Sequence, residues 1–115
     1  MSTLLEARQA RLGNNQSLFR AVNEEVQKIS EAERLAHAVS FVCECANPDC
    51  GDNIVLSLGD YEAIRQNPTH FFVLRYHVFN DVETVEDDRG RYVVVEKFGE
   101  GGRVAAATDA RRSPR

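Results

Sequence analysis

The chain has 115 residues, 43% apolar and 28% charged, with a net charge of −4. That is the composition of one globular domain and excludes a disordered chain. No apolar run exceeds four residues, as in Phe71-Phe72-Val73-Leu74, which excludes a membrane-spanning helix. The first twenty residues carry Glu6, Arg8, Arg11 and Arg20 without the apolar segment of a secretory signal. A cytoplasmic setting is expected, and the odd count of three cysteines argues against a disulfide framework there.

The charge is unevenly spread. Residues 1–38 hold five basic and five acidic side chains, residues 39–102 five and twelve, and residues 103–115 four and one. An acidic central body repels phosphate backbones and disfavours general nucleic-acid binding. The tail Ala110-Arg111-Arg112-Ser113-Pro114-Arg115 is the only basic cluster. It is read as a solvated, flexible terminus, with a nucleic-acid arm as the alternative.

Phe19, Val22, Val26 and Ile29 recur at helical spacing and predict an amphipathic helix from about Asn15 to Ile29, its apolar face packing on the chain's own sheet or docking on a partner. Leu5 and Leu12 continue the series toward the N-terminus, but Gly13-Asn14-Asn15 predicts an interruption. Ser30-Glu31-Ala32-Glu33 has the form of a capping box and predicts a short second helix to about His37.

Beyond residue 38 the period changes to that of strands. Val39–Cys45 and Ile54–Leu58 are expected to flank a turn at Ala46–Asp52, with Pro48 suited to its second position. Ser57 and Asp60 frame the start of a helix from Tyr61 to about Gln66, closed by Asn67-Pro68. Phe71–Tyr76 reads as a third strand. Val82–Glu86 and Arg91–Lys97 read as a hairpin about Asp87-Asp88-Arg89-Gly90. Gly99, Gly101 and Gly102 are expected to close the sheet region, and Ala105-Ala106-Ala107 to add a helical turn.

The three cysteines stand within eight residues. On a strand, Cys43 and Cys45 leave the same face while Glu44 leaves the other. The Asn47-Pro48-Asp49 turn can bring Cys50 back toward them. Three thiolates need a fourth ligand to complete a tetrahedron about Zn²⁺. Of His37, His70 and His77, His77 is the best placed, at the end of the third strand. The reading is a structural zinc site of Cys43, Cys45, Cys50 and His77, with His70 and His37 as alternatives for the fourth ligand. The polarity of Glu44, Asn47, Asp49 and Asp52 argues against three thiols packed as core.

No H-E-x-x-H, Walker A, G-x-S-x-G, G-x-G-x-x-G or deaminase pattern occurs, and a site of four protein ligands has no open position for water. The carboxylate pairs Glu24-Glu25 and Asp87-Asp88 read as solvated surface charge.

The residues Leu18–Glu24, Phe41-Val42-Cys43-Glu44-Cys45, Cys50, the Leu56–Glu62 stretch, His77 and Tyr92–Lys97 resemble a set of small uncharacterised actinobacterial proteins with a C-x-C-x4-C…H pattern, over most of residues 15–110. The resemblance implies the same three cysteines, a histidine matching His77 and a bacterial cytosolic setting. It implies no activity.

The expected fold is α+β: an N-terminal amphipathic helical segment (residues 1–38), a zinc-stabilised body (39–102) built on a small, mostly antiparallel sheet with one short inserted helix and the zinc cluster at one end, and the basic tail (103–115), forming one domain overall. The expected function is a non-enzymatic zinc-binding module that meets a protein partner or a second copy through the N-terminal helix. The alternatives are a thiol redox or metal-sensing protein using Cys43, Cys45 and Cys50, and a nucleic-acid-binding regulator using the tail.

Overall fold

The computed structural model describes residues 3–35, 37–109 and 111. The fold is α+β, as the change of period at residue 38 predicts. In chain order the elements are α1 (Leu4–Ala32), β1 (Val39–Val42), β2 (Asn53–Leu56), α2 (Leu58–Arg65), β3 (His70–Leu74), β4 (Glu83–Asp88), β5 (Tyr92–Lys97) and α3 (Gly99–Ala107). The strands form two antiparallel sheets, β1-β2 and β3-β5-β4. Residue Glu86 is passed over in the register of β4, where the ladder steps from Val85 to Asp87.

The core lies between the sheets and α2. Phe41 stacks on Tyr61 at 4.4 Å, and Phe72 meets both rings edge-on at 6.0 and 5.9 Å. Ser57 caps α2 by accepting a hydrogen bond from the Asp60 amide, in the position its sequence predicts.

Helix α1 differs from its expected form in three ways. It starts earlier, because Thr3 and Glu6 form a reciprocal capping box. It runs unbroken through Gly13, because that glycine is where α1 meets α3. A Cβ on Gly13 would lie 3.1 Å from both the Cα and the carbonyl oxygen of Gly101. It ends near Ala32 and no second helix starts at Ser30. The Ser30 and Glu31 carbonyls instead accept from the Leu35 and Arg34 amides, with Arg34 left-handed at φ 60°. This is a Schellman ending with arginine in the place glycine usually takes.

The buried face of α1 is also not the apolar one. Val22 and Ile29 are exposed, as is Leu18, while Phe19 and Val26 are half-buried. The buried side carries Gln9, Gln16, Arg20, Asn23, Glu24, Gln27 and Ser30. Gln9, Arg20 and Asn23 among them satisfy main-chain groups of other elements, while Gln16, Glu24 and Gln27 pair with the side chains of Glu83, Tyr61 and Glu62. Asn23 accepts from the Val42 amide and donates to the Val42 carbonyl, both at 2.9 Å, extending the edge of β1 as a strand would. Arg20 donates to the carbonyls of Pro68 and Ala105, each at 2.6 Å, and lies over the Phe71 ring. Burial without such partners would cost about 1–3 kcal/mol for each group.

The three closing glycines belong to α3, so the boundary expected at residue 103 falls inside a helix. Of the expected tail, Ala110 and residues 112–115 lie outside the described residues.

Candidate metal centre

The expected strand Val39–Cys45 stops at Val42, so Cys43 and Cys45 lie just past it. The pairing carries on in part, because the Cys43 amide donates to the Asp52 carbonyl at 2.8 Å. The Glu44 amide then donates to the Phe72 carbonyl, joining this segment to β3 of the second sheet. Asn47 closes the turn twice, accepting from the Asp49 amide on its side chain and from the Cys50 amide on its carbonyl. Cys50 is thereby returned toward Cys43 and Cys45. His77 arrives from the far end of β3, where its amide donates to the Leu74 carbonyl in a tight turn.

These four elements bring together the four residues that the sequence singles out. One ligand atom from each of Cys43, Cys45, Cys50 and His77 lies within 4.8 Å of all the others. His77 Nδ1 is 3.6 Å from the Sγ of Cys43 and 3.6 Å from the Sγ of Cys50. A tetrahedron with metal–sulfur bonds of about 2.3 Å and metal–nitrogen bonds of about 2.0–2.1 Å has sulfur–nitrogen edges of roughly 3.5–3.6 Å. The group can therefore hold a metal ion with little rearrangement. The three cysteines are free thiols, not disulfides.

His70 and His37 do not join the group. His70 opens β3 and lies 3.9 Å from Glu96, while His37 is exposed.

The surroundings favour a thiolate at Cys45 and neutral thiols at Cys43 and, by burial, at Cys50. The Leu74 amide donates to Cys43 Sγ at 3.3 Å. Hydrogen bonding from Cys43 holds the Cys45 thiol below its ordinary range, and the same pairing together with burial pushes Cys43 up. A bound cation would replace that shared proton and hold all three sulfurs as thiolates. Asp52 lies on the outer side, 3.9 Å from His77 Nε2 and 3.8 Å from Cys50 Sγ. A carboxylate there faces the imidazole nitrogen turned away from the sulfurs.

The first half of the stretch is core, contrary to the expectation from the polarity of Glu44, while Asn47, Asp49 and Asp52 are exposed as expected. Cys43, Glu44, Cys45 and Ala46 are all buried. Glu44 is tolerated because Asn23 and the Phe72 amide donate to its two oxygens. Burial still pushes its carboxyl up to about 7, against the pull of those hydrogen bonds.

Glu24 departs from the reading of Glu24-Glu25 as solvated charge, which holds for the exposed Glu25. Glu24 is buried, accepts from Tyr61 Oη at 2.7 Å, and meets Arg65 and Arg111. Burial would raise its pKa, but the hydrogen bonds from Arg111 and Tyr61 and the charge of Arg65 hold it below its ordinary 4.5. No local pattern announces this network, because Arg111 stands 87 positions from Glu24.

Among the described residues no helix is long and apolar enough to cross a membrane. No protein-family model, no curated protein and no solved structure matches the chain, so a reading of its function rests on the chemistry of this site.

Proposed function

We propose that the protein is a small, non-enzymatic module built around a structural Zn²⁺ held by Cys43, Cys45, Cys50 and His77, and that it works by binding another protein. The observation that carries this reading is the closure of the four-ligand set. Three sulfurs and one imidazole nitrogen within 4.8 Å fill a tetrahedron and leave no position for a substrate or a reactive water. The donor set is soft to borderline, which suits Zn²⁺ and also admits Fe²⁺. The partner contact is assigned to the outer face of α1, where Leu18, Val22 and Ile29 are exposed without any core to cover. A cytosolic setting keeps the thiols reduced and available to the metal.

Elemental analysis of the purified protein tests the metal. About one zinc per chain, and a melting temperature that falls when a chelator removes it, is the expected result. A chain that carries under about a tenth of an equivalent, or melts identically after chelation, defeats the proposal. The competing thiol-redox reading draws on the proximity of Cys43 and Cys45. It requires a loss of two daltons in intact mass on mild oxidation of the metal-loaded protein, which a closed site resists.

A further inference from the structure

Helices α1 and α2 form a notch away from the metal centre. Its walls are Glu24 and Gln27 from α1, and Tyr61 and Glu62 from α2. Arg111 fills it from the segment that follows α3. Every nitrogen of its guanidinium is engaged. Nε donates to Glu24 Oε1 at 2.7 Å. Nη1 donates to Glu62 Oε2 at 2.6 Å. Nη2 reaches Gln27 Oε1 at 2.7 Å, Glu62 Oε1 at 3.0 Å and Glu24 Oε2 at 3.2 Å. The guanidinium carbon lies 6.0 Å from the Tyr61 ring centroid. Two forked carboxylates, an amide oxygen and an aromatic face match a planar five-donor cation, and a lysine ammonium, with three donors and no plane, cannot satisfy them all.

The acceptors of the notch also have partners other than Arg111. Tyr61 donates to Glu24 from the core side, and Gln27 donates to Glu62 at 2.7 Å, so the acceptors are aligned in part by the body itself. Behind them lies Arg65, whose side chain is fully buried and whose Nε has no hydrogen-bond partner. Arg65 and Arg111 line a cleft of about 330 Å³ together with Gln66, Pro68, Ala106 and Asp109.

We propose that this notch is a guanidinium-recognition site, filled in cis by Arg111, and that an arginine side chain of a partner protein takes it in trans when the C-terminal segment lifts away. The cis arginine is an internal competitor. Short-linker tethering gives it an effective concentration in the millimolar range, so a partner must offer further contacts or meet a displaced C-terminus.

The test uses the full-length, metal-loaded chain with Arg111→Ala, titrated with N-acetylarginine amide and followed by the amide resonances of Gln27 and Glu62. Saturable binding is expected. It should be at least about tenfold tighter than binding of N-acetyllysine amide, and about tenfold tighter than the native chain shows. Adding Glu62→Gln should abolish it. Absence of saturable binding, equal binding of the two amides, equal binding by native and variant chains, or indifference to Glu62→Gln would each overturn the proposal. Should Arg111→Ala not fold, Arg111→Lys keeps a cation in the notch and is titrated in the same way, with the same expected preference for the arginine compound.

Discussion

Cys43, Cys45, Cys50 and His77 form a group whose chemistry is decided atom by atom. Each sulfur or nitrogen is one of four ligands, and removing any one leaves an incomplete tetrahedron. Cys43→Ser is expected to leave under about a tenth of an equivalent of bound metal and to lower the melting temperature by more than about 10 °C, measured by elemental analysis and calorimetry. Glu24 is the other residue on which much rests. Glu24→Gln leaves Arg65 and Arg111 facing a neutral group in a buried setting and should cost about 3 kcal/mol in denaturant unfolding. Because the folded Glu24 titrates below its ordinary 4.5, this contribution is complete above that pH and disappears as the pH falls through the folded value. The native-minus-variant difference in stability should therefore be flat from neutrality down to about pH 5 and shrink below it. A difference that grows on acidification would contradict the assignment.

At the scale of the element, α1 reverses the usual relation between polarity and burial. Its hydrophobic periodicity is real, but the apolar residues Val22 and Ile29 face outward. The inner face instead serves main-chain groups of β1, α3 and the loop at Pro68, and polar side chains of α2 and β4. Val22→Ala and Ile29→Ala should accordingly change stability by no more than about 0.5 kcal/mol. Asn23→Ala should cost about 2 kcal/mol or more, because it strips partners from Val42 and from the buried Glu44. The interruption expected at Gly13 and the second helix expected at Ser30 are both absent, for different reasons. Gly13 lowers helix propensity by about 1 kcal/mol relative to alanine, yet it is kept at the crossing with Gly101. Gly13→Ala is thus expected to destabilise by about 1–2 kcal/mol, where propensity alone would have it stabilise. Thr3-x-x-Glu6, by contrast, was a legible helix start. The same spacing stands at Ser30, where the Schellman ending uses the carbonyl groups instead.

For the whole molecule, the candidate metal centre joins the two sheets. Cys43 follows β1, Cys50 precedes β2, and His77 follows β3 of the other sheet. A bound ion would fasten these segments beside a core that a chain of this size fills with few large side chains. Chelation should therefore loosen both sheets together. Hydrogen exchange of the Phe72 and Leu74 amides, which bond to Glu44 and to Cys43 Sγ, should accelerate in step with the Cys43 amide once metal is removed. Independent exchange of the two sheets would show that the centre does not couple them. The C-terminal segment is tied in separately, through Arg111 to α1 and α2 and through Asp109 to Arg65.

The sequence by itself determined the α+β order of elements, the antiparallel strands, the Ser57 cap and the four residues that meet at the metal centre. These follow from periodicity, turn chemistry and the scarcity of soft ligands, all of which are local or nearly so. Only the tertiary structure decided which face of α1 is buried, why Gly13 lies within a helix, and that Glu24 and Arg111 are partners. The reason is physical. Burial of a polar group depends on whether a distant main-chain or charged group meets it, and close approach of two helices depends on the shape of both. Neither condition is written in the neighbourhood of the residue that satisfies it.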